Sequence, residues 1–231
     1  MFERPHHRRI ALVLHALDGD LLARHRCYFG GGTAIALGHG EYRESVDIDL
    51  LVDSAEGYRS LRELVRAPAG LHALGRGGRL PASAQAPRID QHGIRSFVDI
   101  DGIAIKLEIV REARVTFETP GPDDVVCGAP RLTLRDLATS KLLANADRHA
   151  DDSVFSRDLI DLAMMTLPRR ALVAAKAKAA VAYGSVERDL VAAVERLRER
   201  RGRLETCLQA LRMTVPLALV WQRIRRLPER A

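Results

Sequence analysis

Apolar residues recur at helical spacing from Ile10 to about His25, through Leu12, Leu14, Leu17, Leu21 and Leu22, which predicts a first helix ending before Tyr28-Phe29. Glycines follow at Gly30-Gly31-Gly32. Thr33 to Leu37 then reads as a short helix entered directly from them and broken by Gly38-His39-Gly40. The period changes at Val46. From there to Val52 apolar and acidic residues alternate among β-formers, so the strand sets Val46, Ile48 and Leu50 on one face and Asp47 and Asp49 on the other. Tyr58 to Arg66 returns to a helical pattern, and Gly70 to Arg88, rich in Gly, Ala and Pro, reads as a loop or weak strand. Ile94 to Ile100 and Ile103 to Val110 flank Asp101-Gly102, a strong hairpin signal. In the second of these strands Ile103, Ile105, Leu107 and Ile109 share a face, and Lys106 and Glu108 point the opposite way.

After Pro120-Gly121-Pro122 the strand signals fade, and Leu132 to Met165 and Ala171 to the end read as successive helices. The pattern predicts an α+β protein: a mixed β-sheet flanked by helices over residues 1–128, then a helical C-terminal bundle over 129–231. No stretch approaches the roughly 20 apolar residues of a membrane span. The basic start, His6-His7-Arg8-Arg9 before Ile10 to Leu17, is interrupted by His15 and Asp18 and lacks a small-residue cleavage site, so it reads as an amphipathic helix and not as a signal peptide. Cys27, Cys127 and Cys207 are odd in number and match no metal-ligand spacing, which predicts buried thiols in a reducing, cytoplasmic setting. The formal charge of +6, carried mostly by arginine, suits a polyanionic partner such as RNA or a nucleoside triphosphate; arginine-rich composition of genomic origin would give the same number.

Chemistry concentrates in the first half. Carboxylates at i and i+2 on one strand face, Asp47 and Asp49, lie close enough to share divalent cations, and oxygen ligands suit Mg²⁺ or Mn²⁺. An isolated Asp-x-Asp is more often a solvated strand face. The glycine turn changes that balance, because successive N–H groups entering a helix form an anion nest, to which Thr33 can add a hydroxyl. Glu108, on the polar face of a later strand, could complete a metal cluster, or could simply pair with Lys106 at the surface. Further along, Lys141 and Arg148 are seven residues apart and so share a helix face where two cations could meet phosphate oxygens. Asp158 and Asp161 could pair locally with Arg157 or cap a helix. His39, between glycines, reads as a loop residue.

These parts together resemble the polymerase-β type of nucleotidyltransferase, in which a Gly-Gly or Gly-Ser turn precedes a strand bearing Asp-x-Asp and a later strand adds a third acid. More specifically, Phe29-Gly30-Gly31-Gly32-Thr33-Ala34 and Arg43-Glu44-Ser45-Val46-Asp47-Ile48-Asp49-Leu50 resemble the motifs of AbiEii-type nucleotidyltransferase toxins, and Leu134 to Lys141 followed by Arg157-Asp158-Leu159-Ile160-Asp161-Leu162 continues the likeness to about residue 165. The resemblance implies a nucleotidyltransferase-like sheet. It also implies that Gly31, Gly32 and Thr33 hold phosphates, with Arg43, Ser45, Lys141 and Arg148 at the nucleotide. Asp47, Asp49 and Glu108 would bind metal, and Asp158 or Asp161 would position base or ribose. Glu108 stands where the family more usually has Asp, one methylene shorter.

The activity so implied is metal-dependent transfer of a nucleoside monophosphate from an NTP to a hydroxyl of RNA, with tRNA foremost, by the toxin of a toxin–antitoxin pair whose cognate antitoxin would be a partner. Two alternatives stay open. One is an antibiotic-modifying, small-molecule nucleotidyltransferase, disfavoured for a polycationic acceptor by the chain's own positive charge. The other is a non-catalytic nucleotide- or RNA-binding module. The arginine-dense stretches Arg196 to Arg203 and Arg223 to Arg226 could bind an RNA backbone or be solvated helix faces.

Overall fold

A computed structural model describes residues 2–81 and 85–228. The parts of the expected loop at 82–84 and of the last expected helix at 229–231 lie outside the described residues. The chain divides into two compact units: residues 1–34 with 46–133, and residues 35–45 with 134–231.

The first unit carries helix α1 (Pro5–Ala16), helix α2 (Gly19–Arg24), strand β1 (Cys27–Gly30), the start of helix α3 (Gly31–Gly38), strand β2 (Ile48–Val52) and helix α4 (Ala55–Arg66). Strands β3 (Arg88–Ile89), β4 (Gly93–Ile100) and β5 (Ile103–Arg111) and a small ribbon, β6 (Val125–Val126) with β7 (Ala129–Pro130), follow. Five strands form one mixed sheet in the order β1-β2-β5-β4-β3, in which β2 and β5 run parallel and the other pairs antiparallel.

The period-two pattern explains the burial. Ile48, Leu50 and Val52 of β2, Ile105, Leu107 and Ile109 of β5, and Ile94 and Val98 of β4 are fully excluded from solvent. Each such side chain contributes about 1.5–3 kcal/mol on burial. Helix α1, with Ile10, Val13 and Leu14 buried, lies against β4, and α4, with Leu61 and Val65 buried, lies against β2. At the hairpin tip both Asp101 and Gly102 have positive φ, 54° and 77°, as a two-residue type I′ turn requires, and the Asp99 carboxylate accepts the Gly102 N–H at 3.0 Å.

Three local expectations are corrected. The single helix from Ile10 to His25 is two, because Asp18 leaves helical geometry, donates its N–H to the Leu74 carbonyl and accepts the Leu21 N–H on its carboxylate at 2.9 Å, so restarting the helix as an N-cap. The strand begins at Ile48 and not at Val46, which stays exposed ahead of the ladder. Gly70–Leu74 and Arg76–Gly78 form 3₁₀ turns where a loop or weak strand was expected.

The second unit is helical: α5 (Leu134–Arg148), α6 (Arg157–Met164), α7 (Arg169–Ala182), α8 (Val186–Glu199), α9 (Arg203–Ala210) and α10 (Leu217–Ile224). Helix α5 is its axis, touching α6, α7 and α8, and α10 lies on α6. Leu137, Leu142, Leu143, Leu159, Ile160 and Leu172 are among its buried apolar residues. The early segment 35–45 belongs to this unit. Among the described residues no helix is long and apolar enough to cross a membrane.

Candidate active site

The glycine turn and the acidic strand are neighbours because β1 and β2 are antiparallel partners, with Gly30 opposite Asp49. Gly31 has φ +67°, and a Cβ placed on it would stand 2.1 Å from the Asp49 Oδ2 and 2.9 Å from its Cγ. Glycine is therefore required there twice, by conformation and by the closeness of the carboxylate. The same residue opens α3, so the first-turn N–H groups and positive end of that helix start beside Asp49. Thr33, buried one turn in, donates its hydroxyl proton to the Asp47 carbonyl at 2.5 Å and so ties the helix to the chain entering β2.

Parallel pairing of β2 with β5 sets Asp49 opposite Glu108 and Ile48 opposite Leu107. One step earlier come Asp47, just ahead of β2, and Lys106 of β5. Across the next ladder Arg95 of β4 faces Glu108 and Phe97 faces Lys106. Three adjacent strands thus bring together Asp49, with Asp47 just ahead of it, then Lys106 and Glu108, then Arg95.

Both Glu108 oxygens meet cations: Oε2 accepts from Lys106 Nζ at 2.7 Å, and Oε1 lies 3.3 Å from Arg95 Nε. Arg95 is shared with Asp90 at 2.7 Å. Partial burial opposes the charge on Lys106. The hydrogen bond to Glu108 and the fields of Glu108, Asp47 and Asp49 outweigh it and hold the ammonium above the usual lysine range.

The donor chemistry of Asp47 and Asp49 fits a hard divalent cation, which Mg²⁺ sites in phosphate-transfer proteins satisfy with one or two carboxylates plus substrate phosphates and water. The glycine that clears space beside the Asp49 carboxylate supports the same reading. Among the described residues no three His, Cys, Asp or Glu side chains converge into a complete protein cage. Glu108 is engaged by its two cations instead.

The remaining sequence-derived candidates gather in the helical unit. Lys141 Nζ lies 2.9 Å from Asp158 Oδ1 and 2.7 Å from Asp161 Oδ2. Arg148 Nε reaches Asp158 Oδ2 at 2.7 Å, so the shared helix face expected for Lys141 and Arg148 meets one carboxylate. Arg43 grips Asp161 with two donors, Nε at 2.6 Å and Nη2 at 2.9 Å, and the Tyr42 hydroxyl adds a third at 2.5 Å. Asp158 and Asp161 neither pair with Arg157 nor depend on local capping. Burial works to raise both carboxyls; the surrounding cations, Lys141 and Arg148 for Asp158 and Arg43 and Lys141 for Asp161, overcome it and hold both below the usual range. Ser45 is partly buried, and His39 sits past α3 with its Nδ1 3.0 Å from the Ile35 carbonyl.

Tyr42, Arg95 and the position of Lys106 beside Asp47 were not read from the sequence. Arg95 could have been: a two-residue turn at Asp101-Gly102 fixes the register that sets Arg95 against Glu108.

The profile of the family described as nucleotidyl transferase AbiEii toxin, type IV TA system, matches residues 15–226. No curated protein matches. Among solved structures the chain is similar in fold to JHP933 from Helicobacter pylori, at 15% identity and a TM-score of 0.54, over 99% of this chain and 92% of that one. It is also similar to an H. pylori protein assigned only provisionally as a nucleotidyltransferase, at 15% identity and a TM-score of 0.51, over 96% and 92% of the two chains. A match that runs through the glycine turn, the Asp-x-Asp strand and the helices beyond them places this chain in the AbiEii family of nucleotidyltransferase toxins from type IV toxin–antitoxin systems.

Proposed function

We propose that the chain moves a nucleoside monophosphate from an NTP to a hydroxyl of an RNA acceptor, tRNA being the first to test, and that it acts as a toxin held in check by a cognate antitoxin. The observation that carries this reading is the Asp49 carboxylate set against Gly31 at the start of α3, with Asp47 beside it and Glu108 across the ladder. The α3 N–H groups at Gly31 and Gly32 receive phosphate oxygens, and Thr33 fixes the backbone of Asp47 so that its carboxylate stays on the Asp49 side. Asp47 and Asp49 would hold Mg²⁺ or Mn²⁺, and when bound the ion supplies positive charge to the triphosphate and the attacking hydroxyl. Glu108, the third acid, stands ready to accept the proton of that hydroxyl once it is freed from its cations.

In the helical unit, Lys141 and Arg148 are proposed for the triphosphate, with Arg43 and Ser45 at the nucleotide and Asp158 or Asp161 at base or ribose. The support is the motif order and the gathering of these charges around two carboxylates.

The test is incubation of the purified chain with each α-labelled NTP, Mg²⁺ and total RNA, beside Asp47→Asn. Label transferred by the parent and reduced by a factor of about 10³ or more in the variant supports the reading, since the variant removes a charge that stabilises the transition state. Equal transfer by both removes Asp47 from the chemistry. Nucleotide binding without transfer to any RNA would favour a non-catalytic module, and transfer only to small aminoalcohols the antibiotic-modifying alternative.

A further inference from the structure

We propose that Lys106 is a built-in placeholder cation for the acidic cluster, and that a divalent ion must displace its ammonium before Glu108 can serve as a ligand or base. The inference rests on the metal site proposed above and concerns how that site is filled.

The geometry carries it. Lys106 comes beside Asp47 one step before the Ile48–Leu107 pair, and its ammonium is 2.7 Å from Glu108 Oε2. The other Glu108 oxygen faces Arg95, which is also drawn to Asp90. Glu108 therefore offers no carboxylate edge to a metal ion while Lys106 stays in place. Lysine suits a displaceable role. Its charge is compact and sits on a flexible stem, unlike the planar fork of arginine. The Lys106 side chain keeps 38% of its exposure and so has solvent to turn into. A cation at this point relieves the repulsion among three carboxylates when no metal is bound. It also raises the cost of metal entry, because two cations then compete for the same acids. An ion that arrives on a triphosphate brings its own anions, onto which Lys106 can turn, so nucleotide and metal load together.

The experiment is Mn²⁺ binding to the intact chain without nucleotide, followed by electron paramagnetic resonance, for the parent, Lys106→Met, Lys106→Arg, Asp47→Asn and Lys106→Met combined with Asp47→Asn. Lys106→Met should bind on the order of tenfold more tightly than the parent, because a competing charge is removed at short range. Lys106→Arg should not tighten, and Asp47→Asn should abolish the gain. Equal affinity in the parent and Lys106→Met, with Asp47→Asn weakening both, overturns the placeholder and keeps the metal site. If Asp47→Asn changes nothing in any background, the metal is not held at this cluster and both readings fall. Should Lys106→Met not fold, nitrogen-15 spectra of the parent's lysine ammonium groups decide. The Lys106 signal, identified by its loss in Lys106→Arg, should move to the position of a free lysine as Mg²⁺ with a non-hydrolysable ATP analogue saturates the chain; a signal that does not move overturns the proposal.

Discussion

Gly31 shows how narrowly one residue can be specified. A methyl group there meets the Asp49 carboxylate head on, and the backbone sits in the left-handed region at φ +67°. Gly31→Ala should therefore cost about 1–3 kcal/mol of stability through strain and displaced packing. Nucleotide transfer should fall by far more than the melting shift explains, because the carboxylate moves with the clash. Thermal melts and labelled transfer measured on one preparation check both halves. Ordinary activity in a stable Gly31→Ala chain would mean that the close approach has no part in catalysis. The glycine and the two aspartates were legible in sequence because turn chemistry and strand alternation are local. Lys106 was legible only as the neighbour of Glu108. That it also comes beside Asp47 depends on a parallel pairing whose partners Ile48 and Leu107 are 59 residues apart (107 − 48 = 59), and no single-strand pattern carries such a pairing.

At the level of elements, α5 and α6 are joined by buried charge as much as by apolar contact. Asp161 is wholly buried among Lys141, Arg43 and Tyr42, and Asp158 is held by Lys141 and Arg148. Asp161→Asn leaves the buried Arg43 without its carboxylate and Lys141 with Asp158 alone, and should destabilise the chain by about 3–5 kcal/mol in urea unfolding. Because both carboxyls are held below their unfolded values, their stabilisation is full above pH about 4 and is lost as pH falls through the folded range. Asp158→Asn should accordingly flatten the acid side of the stability profile, and an unchanged acid limb would show that Asp158 contributes no such linkage. The helices themselves were readable from periodicity. The break at Asp18 was not, since the apolar spacing continues across it and only the cap hydrogen bond ends one helix and begins the next.

At the level of the whole molecule, the chain order and the units do not coincide, because residues 35–45 leave the first unit's sequence neighbourhood to join helices that begin at residue 134. The reason is electrostatic: Arg43 and Tyr42 supply three of the hydrogen bonds that Asp161 receives. A fragment of residues 134–228 should therefore fail to reach a cooperative fold. Adding a peptide of residues 35–45 should restore helical circular dichroism and a melting transition. A fragment that melts cooperatively without the peptide would show that the segment is dispensable. Sequence pattern conveys the succession of strands and helices, but not this partnership, which joins residues 118 apart. The family likeness conveys that Arg43 and Asp161 matter without saying that they meet.

The sheet's borders bear on how other proteins can attach to the first unit. Strand β1 is four residues long, and on its outer side Phe29 gives its carbonyl to the Leu132 N–H and bridges Arg131. At the opposite border β3 is two residues long and begins with an arginine. Neither margin presents a long row of unsatisfied peptide groups, so templated strand addition, the route by which exposed margins recruit further chains into fibres, finds little purchase here. Binding to this unit must accordingly be read from side chains and surfaces, where single substitutions can strengthen or abolish it.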